Sequence, residues 1–158
     1  MKLRWILALV AGVLGVGVYA GNLLATPQVG VTTTQLSKGT FGELEVRLER
    51  SRPLWYGASD VYVVQNAFAP GSTTGWHTHP GPSLITVTSG QITAYEGDDP
   101  ACAPKVYTAG QSFVDPGGGH VHMLRNETDA AAQTVAVAIV PKDAPRRVDT
   151  PATGNCRF

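Results

Sequence analysis

The stretch Gly71-Ser72-Thr73-Thr74-Gly75-Trp76-His77-Thr78-His79-Pro80-Gly81 decides how the rest of the chain is read. It has an echo downstream, Asp115-Pro116-Gly117-Gly118-Gly119-His120-Val121-His122. The chain holds four histidines, and all four sit in these two segments, each as a His-x-His. Side chains alternate faces along a strand, so residues i and i+2 point the same way. If both segments are strands lying side by side, four imidazoles converge on one spot. Imidazole is a common ligand for divalent transition metals. A single His-x-His is most simply a surface pair or chance, whereas two pairs with no other histidine in the chain point to a metal site.

Working outward, the flanking sequence is rich in strand patterns and turn residues. Asp60 to Ala69 reads as a strand ending at Pro70-Gly71, and Pro80-Gly81-Pro82 as a turn. Ser83 to Ser89 and Gln91 to Tyr95 form a hairpin about Gly90. Val106-Tyr107-Thr108, Ser112-Phe113-Val114 and His120 to Arg125 are further short strands, and Gln133 to Val140 is the last. Upstream, Val29 to Thr34 is β-branched and Glu43 to Glu49 alternates polar with apolar, with Gly39 and Gly42 as punctuation. Ser51 to Ser59 reads as a loop holding Pro53, Trp55 and Tyr56. Many short strands with turns every 8–12 residues and no long amphipathic helix mean an all-β sandwich or barrel.

The histidine segments also carry a family likeness. Gly71, five residues, His77-x-His79 and then Gly90 resembles the first motif of the cupin superfamily. That motif places a glutamate where Ser83 or Leu84 stands here, so the carboxylate is missing. Gly110, five residues, Pro116-x-Gly118 and then a histidine four residues before Asn126 resembles the second motif. His122 keeps the histidine-to-asparagine spacing, while His120 and His122 lie one residue either side of the usual histidine position. The resemblance covers about residues 60 to 140. It implies a double-stranded β-helix (jelly-roll) barrel over residues 27–140 with a metal in it. It says little about activity, because that superfamily hosts many chemistries on one barrel.

The resemblance and the histidines together imply metal ligands His77, His79 and His122, with His120 slightly behind. Either His120 or His122 takes the usual place, and the other is free to supply the missing ligand. Neutral imidazoles suit a divalent transition metal (Zn, Fe, Ni, Cu or Mn) better than Mg or Ca. Without the glutamate the ion keeps its full +2 charge, which strengthens it as a Lewis acid and favours anionic ligands. Ser83, Gln91 and Gln65 are candidates to fix an imidazole tautomer. Asp115 and Glu96 read as turn and solvent-exposed residues, so no catalytic residue beyond the ion is evident. Two functions follow. One is a metal-dependent oxidoreductase, dioxygenase-like, acting on a small molecule; the other is a non-catalytic module binding a small molecule or metal.

At the N-terminus, Met1-Lys2-Leu3-Arg4 is basic, and Trp5 to Gly21 holds no charged or strongly polar residue. That is the plan of a signal peptide, with small residues Val18 and Ala20 placed for cleavage before Gly21. An uncleaved membrane anchor is the competing reading, since the apolar run approaches the length of a spanning helix. Either way residues 1–20 export the domain, to a secreted, periplasmic or cell-surface location, and a membrane is a partner only if the segment stays. Removing Lys2 and Arg4 from a chain with twelve basic and twelve acidic residues leaves a charge of −2. No basic stripe with interleaved aromatics is present, which excludes a nucleic-acid partner. Residues 141–158 lose the strand pattern and would be disordered but for Cys156. Cys102 and Cys156 are the only cysteines. In an exported chain they are expected to form a disulfide that ties this tail to the barrel. Asn126-Glu127-Thr128 matches a glycosylation sequon, read as coincidence.

Overall fold

The computed structural model describes residues 25–46 and 55–158. The apolar segment 1–20 lies outside the described residues. Among the described residues ten strands follow in chain order: β1 Val29–Val46, β2 Trp55–Thr73, β3 His77–Thr78, β4 Ser83–Ser89, β5 Gln91–Glu96, β6 Lys105–Thr108, β7 Ser112–Asp115, β8 His122–Arg125, β9 Ala132–Pro141 and β10 Val148–Asp149. No helix is present among the described residues. The strands run β10-β3-β8-β2-β9-β4-β7, with β1 paired to β2 and the β5–β6 hairpin paired to β8. Every pairing is antiparallel, and the sheet curls into a nearly closed barrel.

Strand alternation sorts the side chains. On β9, Ala132, Thr134, Ala136 and Ala138 face inward while Gln133 is exposed. Small residues on this central strand leave room for Phe68, Val87, Ile92 and Leu124, which form the main core. Burying each of these larger side chains contributes about 1.5–3 kcal/mol. Strand β5 breaks the alternation, with Ile92, Thr93, Ala94 and Tyr95 all buried. Ile92 and Ala94 face the main core. Tyr95 faces the other way, into a cluster with Trp76 and Met123 that Cys102 and Cys156 help to cover. The C-terminal tail therefore covers the outer face of β5 and β8.

That tail is ordered by several independent ties. Cys102 and Cys156 are joined by a disulfide with Cα atoms 5.3 Å apart. Strand β10 pairs with β3, and Asn155 Nδ2 donates to the carbonyls of Glu96 and Asp99 at 2.9 and 2.6 Å. The expectation of a patternless tail is thus corrected by two residues of strand. They are exposed, so they left no apolar signal.

Two other boundaries differ from the sequence reading. Trp55 to Ser59, read as loop, belongs to β2, because β1 runs on as its partner and pairs Glu45 with Tyr56 and Val46 with Trp55. Gly42 does not end β1; it falls where the register shifts between Phe41 and Leu44. The long β1–β2 arm is fixed to the barrel at Asp60. The Lys38 ammonium lies 2.8 Å from its buried carboxylate, and Thr40 Oγ1 and the Asp143 amide donate to it at 2.6 and 3.1 Å. The Lys38 bond, followed by that from Thr40, pulls the Asp60 carboxyl down to about 2. Asn126 is fully buried, with its amide donating to Phe68, Ala69 and Ala130 carbonyls, so the sequon is spent on packing.

Candidate metal centre

The site begins with a turn that only glycine can make. Gly75 has φ +67°, and a Cβ there would lie 1.9 Å from the Thr26 carbonyl oxygen. This close approach lets Trp76 N donate to Thr26 Oγ1 at 2.6 Å and brings the chain into β3 facing β8. The pairing His77↔His122 then makes two histidines cross-strand neighbours, with ring centroids 4.3 Å apart. His79 follows β3, with centroids 5.0 Å from His77 and 5.4 Å from His122. All three are buried, at 3%, 6% and 5% exposure. Each offers a ring nitrogen, and these three atoms lie within 4.8 Å of one another.

The tautomers follow from the backbone. His77 Nδ1 lies 2.9 Å from the Gly75 carbonyl, and His79 Nδ1 lies 2.6 Å from the Arg146 carbonyl. A carbonyl only accepts, so each Nδ1 carries the proton and each Nε2 keeps a free lone pair. Main-chain carbonyls thus do the orienting that the sequence reading gave to Ser83, Gln91 or Gln65. Of those three, Ser83 lines the pocket. His122 Nδ1 is buried without a hydrogen bond, 3.5 Å from Asp115 Oδ1. Burial pushes all three imidazoles below their ordinary range, His122 to about 3, with Arg147 adding to the effect on each and neighbouring histidines to that on His77 and His122. They are therefore neutral at pH 7, which is the form that binds a metal. Three neutral nitrogens within reach of one point, two of them pre-oriented, fit a divalent transition ion.

His120 stands elsewhere. Its Nδ1 lies 3.1 Å from Asp115 Oδ1 and its Nε2 lies 2.8 Å from Glu96 Oε2. Its ring stacks on His122 at 5.8 Å, and Asp115, His120 and His122 form a second group with ligand-type atoms close together. The reason is the backbone. Gly117, Gly118 and Gly119 all have positive φ, β8 starts only at His122, and the i, i+2 rule does not reach back to His120. Asp115, read as a solvent-exposed turn residue, does make the turn, accepting from Gly117 N at 3.1 Å. It is nevertheless only 3% exposed, and it lies between His120 and His122. No local pattern signals that burial.

The cavity over the histidines is small, about 40 Å³. Its walls combine apolar Val31, Ile85, Leu124 and Ala136 with the guanidinium-bearing Arg146 and Arg147. The two arginines lie in the tail and were not singled out from sequence. The one signal that the tail folds back was Cys156.

Comparison with known proteins agrees with this architecture. A cupin domain family model matches residues 66–140. Among solved structures, a cupin-2 domain from Rhodospirillum rubrum is 16% identical, covers 79% of this chain and 67% of that chain, and has a TM-score of 0.53. A recombinant oxalate oxidase in complex with glycolate is 24% identical with a TM-score of 0.51. The alignment there covers 75% of this chain and 54% of that one, so this chain spans about half its length. A cupin superfamily protein from Desulfitobacterium hafniense is 12% identical, covers 76% and 86% of the two chains, and has a TM-score of 0.49. No curated protein matches the chain. With all-β architecture and family model in agreement, residues 66–140 are a cupin domain.

Proposed function

We propose that His77, His79 and His122 hold a divalent transition metal and that the barrel presents this ion to a small molecule in the adjoining pocket. The observation that supports this best is the convergence of three buried, neutral imidazoles, two of them with the tautomer set by a carbonyl. His120 is the fourth candidate, and its carboxylate partners favour an outer role beside His122. When bound, such an ion supplies Lewis acidity and, for a redox-active metal, electron transfer to or from a coordinated ligand. The chain's part is to hold the imidazoles neutral, screen them from bulk water and shape what enters.

The activity we propose is that of a metal-dependent oxidoreductase on a small molecule, chemistry in which the ion needs little help from the protein. The second reading, a non-catalytic binding module, is favoured by the pocket lining, which includes no aspartate, glutamate, tyrosine or cysteine to act as acid, base or nucleophile. We further propose that the chain is exported through residues 1–20, cleaved or kept as an anchor, with a barrel over 27–140 and a tail over 141–158. The Cys102–Cys156 bond suits an oxidising compartment.

Metal analysis of protein purified without added metal is the test. About one transition ion per chain, lost in the double variant His77→Ala/His79→Ala while a β spectrum remains, is the expected result. Stoichiometric metal in the double variant would refute the assignment. Oxygen uptake with a panel of phenols, thiols and small carboxylates then separates the two readings, and no uptake from the metal-loaded protein favours the binding module. N-terminal sequencing of protein from the native host tests export, and Met1 intact in the cytosol contradicts it.

A further inference from the structure

Arg146 and Arg147 lie between β9 and β10, in the tail that the disulfide anchors. Both line the same pocket as His77, His79 and His122. Their placement is tight. The Arg146 carbonyl accepts from His79 Nδ1 at 2.6 Å, and the Arg147 guanidinium donates to the Thr74 carbonyl and, through Nε, to Asp149 at 2.6 Å. Strand β10 then pairs with β3, placing Asp149 opposite His77. The segment carrying the cations is thus hydrogen-bonded to the histidines' own strand.

The charges around this pocket do not balance. Asp149 pairs with Arg147. Among the described residues no carboxylate pairs with Arg146, and no acidic side chain lines the pocket. Both guanidiniums are partly buried, and burial together with the neighbouring charge holds Arg146 below the ordinary arginine range. Arg147 helps to depress all three imidazoles, and Arg146 helps to depress His79. A partly buried Arg146 without a carboxylate partner, beside the second cation Arg147, is a standing cost that an incoming anion reduces. A planar guanidinium fork matches the two oxygens of a carboxylate, and the walls formed by Val31, Ile85, Leu124 and Ala136 suit a short apolar body behind that head group.

We propose that Arg146, supported by Arg147, is an anion clamp over the three-histidine pocket, and that the ligand class of this site is a small carboxylate. The proposal rests on the pocket reading above. It adds the substrate class and assigns the tail a binding role that the barrel motifs do not contain.

The test is titration of the full exported protein with malonate, followed by NMR or calorimetry, with malonamide as the neutral analogue of the same shape. Arg146→Gln and Arg146→Lys are compared with wild type after circular dichroism and metal analysis of each preparation. Malonate is expected to bind and malonamide not to. Its dissociation constant should rise about 10-fold or more in R146Q and by less in R146K, which keeps the charge but loses the fork. Unchanged malonate affinity in folded R146Q, or equal binding of malonamide, overturns the clamp. Arg146-dependent malonate binding in protein that contains no metal leaves the clamp standing while sinking the metal reading. Metal-loaded protein whose malonate affinity ignores Arg146 sinks the clamp alone.

Discussion

In the first His-x-His segment both His77 and His79 turn into the pocket, whereas in the second only His122 does, and His120 sits between Asp115 and Glu96 in a separate small cavity. The two segments share a sequence pattern and differ in backbone. His77 is in strand, and Gly75 before it is wedged against Thr26. Before His120 the chain passes through three glycines with positive φ. The first of these, Gly117, is wedged like Gly75, since a Cβ there would lie 2.1 Å from the Gly81 oxygen, while Gly118 and Gly119 are open. The difference teaches that a period-two motif reports a shared face only where the backbone is extended through both residues.

The largest effect that probes this contrast is on metal retention. His122→Ala should weaken metal binding by more than about 100-fold, and His120→Ala by less than about 10-fold. Competition against a chromogenic chelator measures both, and equal losses would make the second segment a true two-ligand pair after all. Acid comes next. In metal-free protein the depressed imidazoles stay neutral while those of the unfolded chain take up protons. Stability is therefore intact above the unfolded histidine pKa of about 6.5. It falls as pH drops toward about 3, where His122 itself titrates, by up to about 1.4 kcal/mol per pH unit for each such histidine. Urea midpoints of chelator-treated protein between about pH 7.5 and pH 5 would show this fall, and a flat profile would mean that the three rings are not buried neutral.

The two glycine turns give a third contrast. Gly75→Ala meets the Thr26 carbonyl and a left-handed φ together, and should cost at least about 2 kcal/mol. Gly118→Ala meets open space and only the φ strain, about 1 kcal/mol. Thermal melts of the pair decide it, and equal shifts would remove the special role given to the Gly75 approach. A last contrast lies at the carboxylate behind the site. Asp115→Asn keeps the turn and removes the charge beside His120 and His122, and should lower metal affinity by roughly 10-fold. No change would separate Asp115 from the metal site and leave it a turn residue.

The amino-acid sequence by itself determined the all-β class, the two motif segments and the four histidines from which the converging three are drawn. Alternation, β-branched runs and glycine punctuation are local signals, and each strand carries its own. It also limited any disulfide to one pairing, because the chain has two cysteines. Only the tertiary structure decided that His120 leaves the pocket, because three consecutive positive-φ glycines precede it and β8 starts only at His122. Only the tertiary structure placed the carbonyls of Gly75 and Arg146 on the imidazoles, since a main-chain acceptor is the same in every residue and has no sequence signature. Asp115 and the arginine pair were hidden for a related reason. Burial of a turn carboxylate and of a charged tail is set by what packs over them from distant parts of the chain, here β8, β3 and the far end of the Cys102–Cys156 bond.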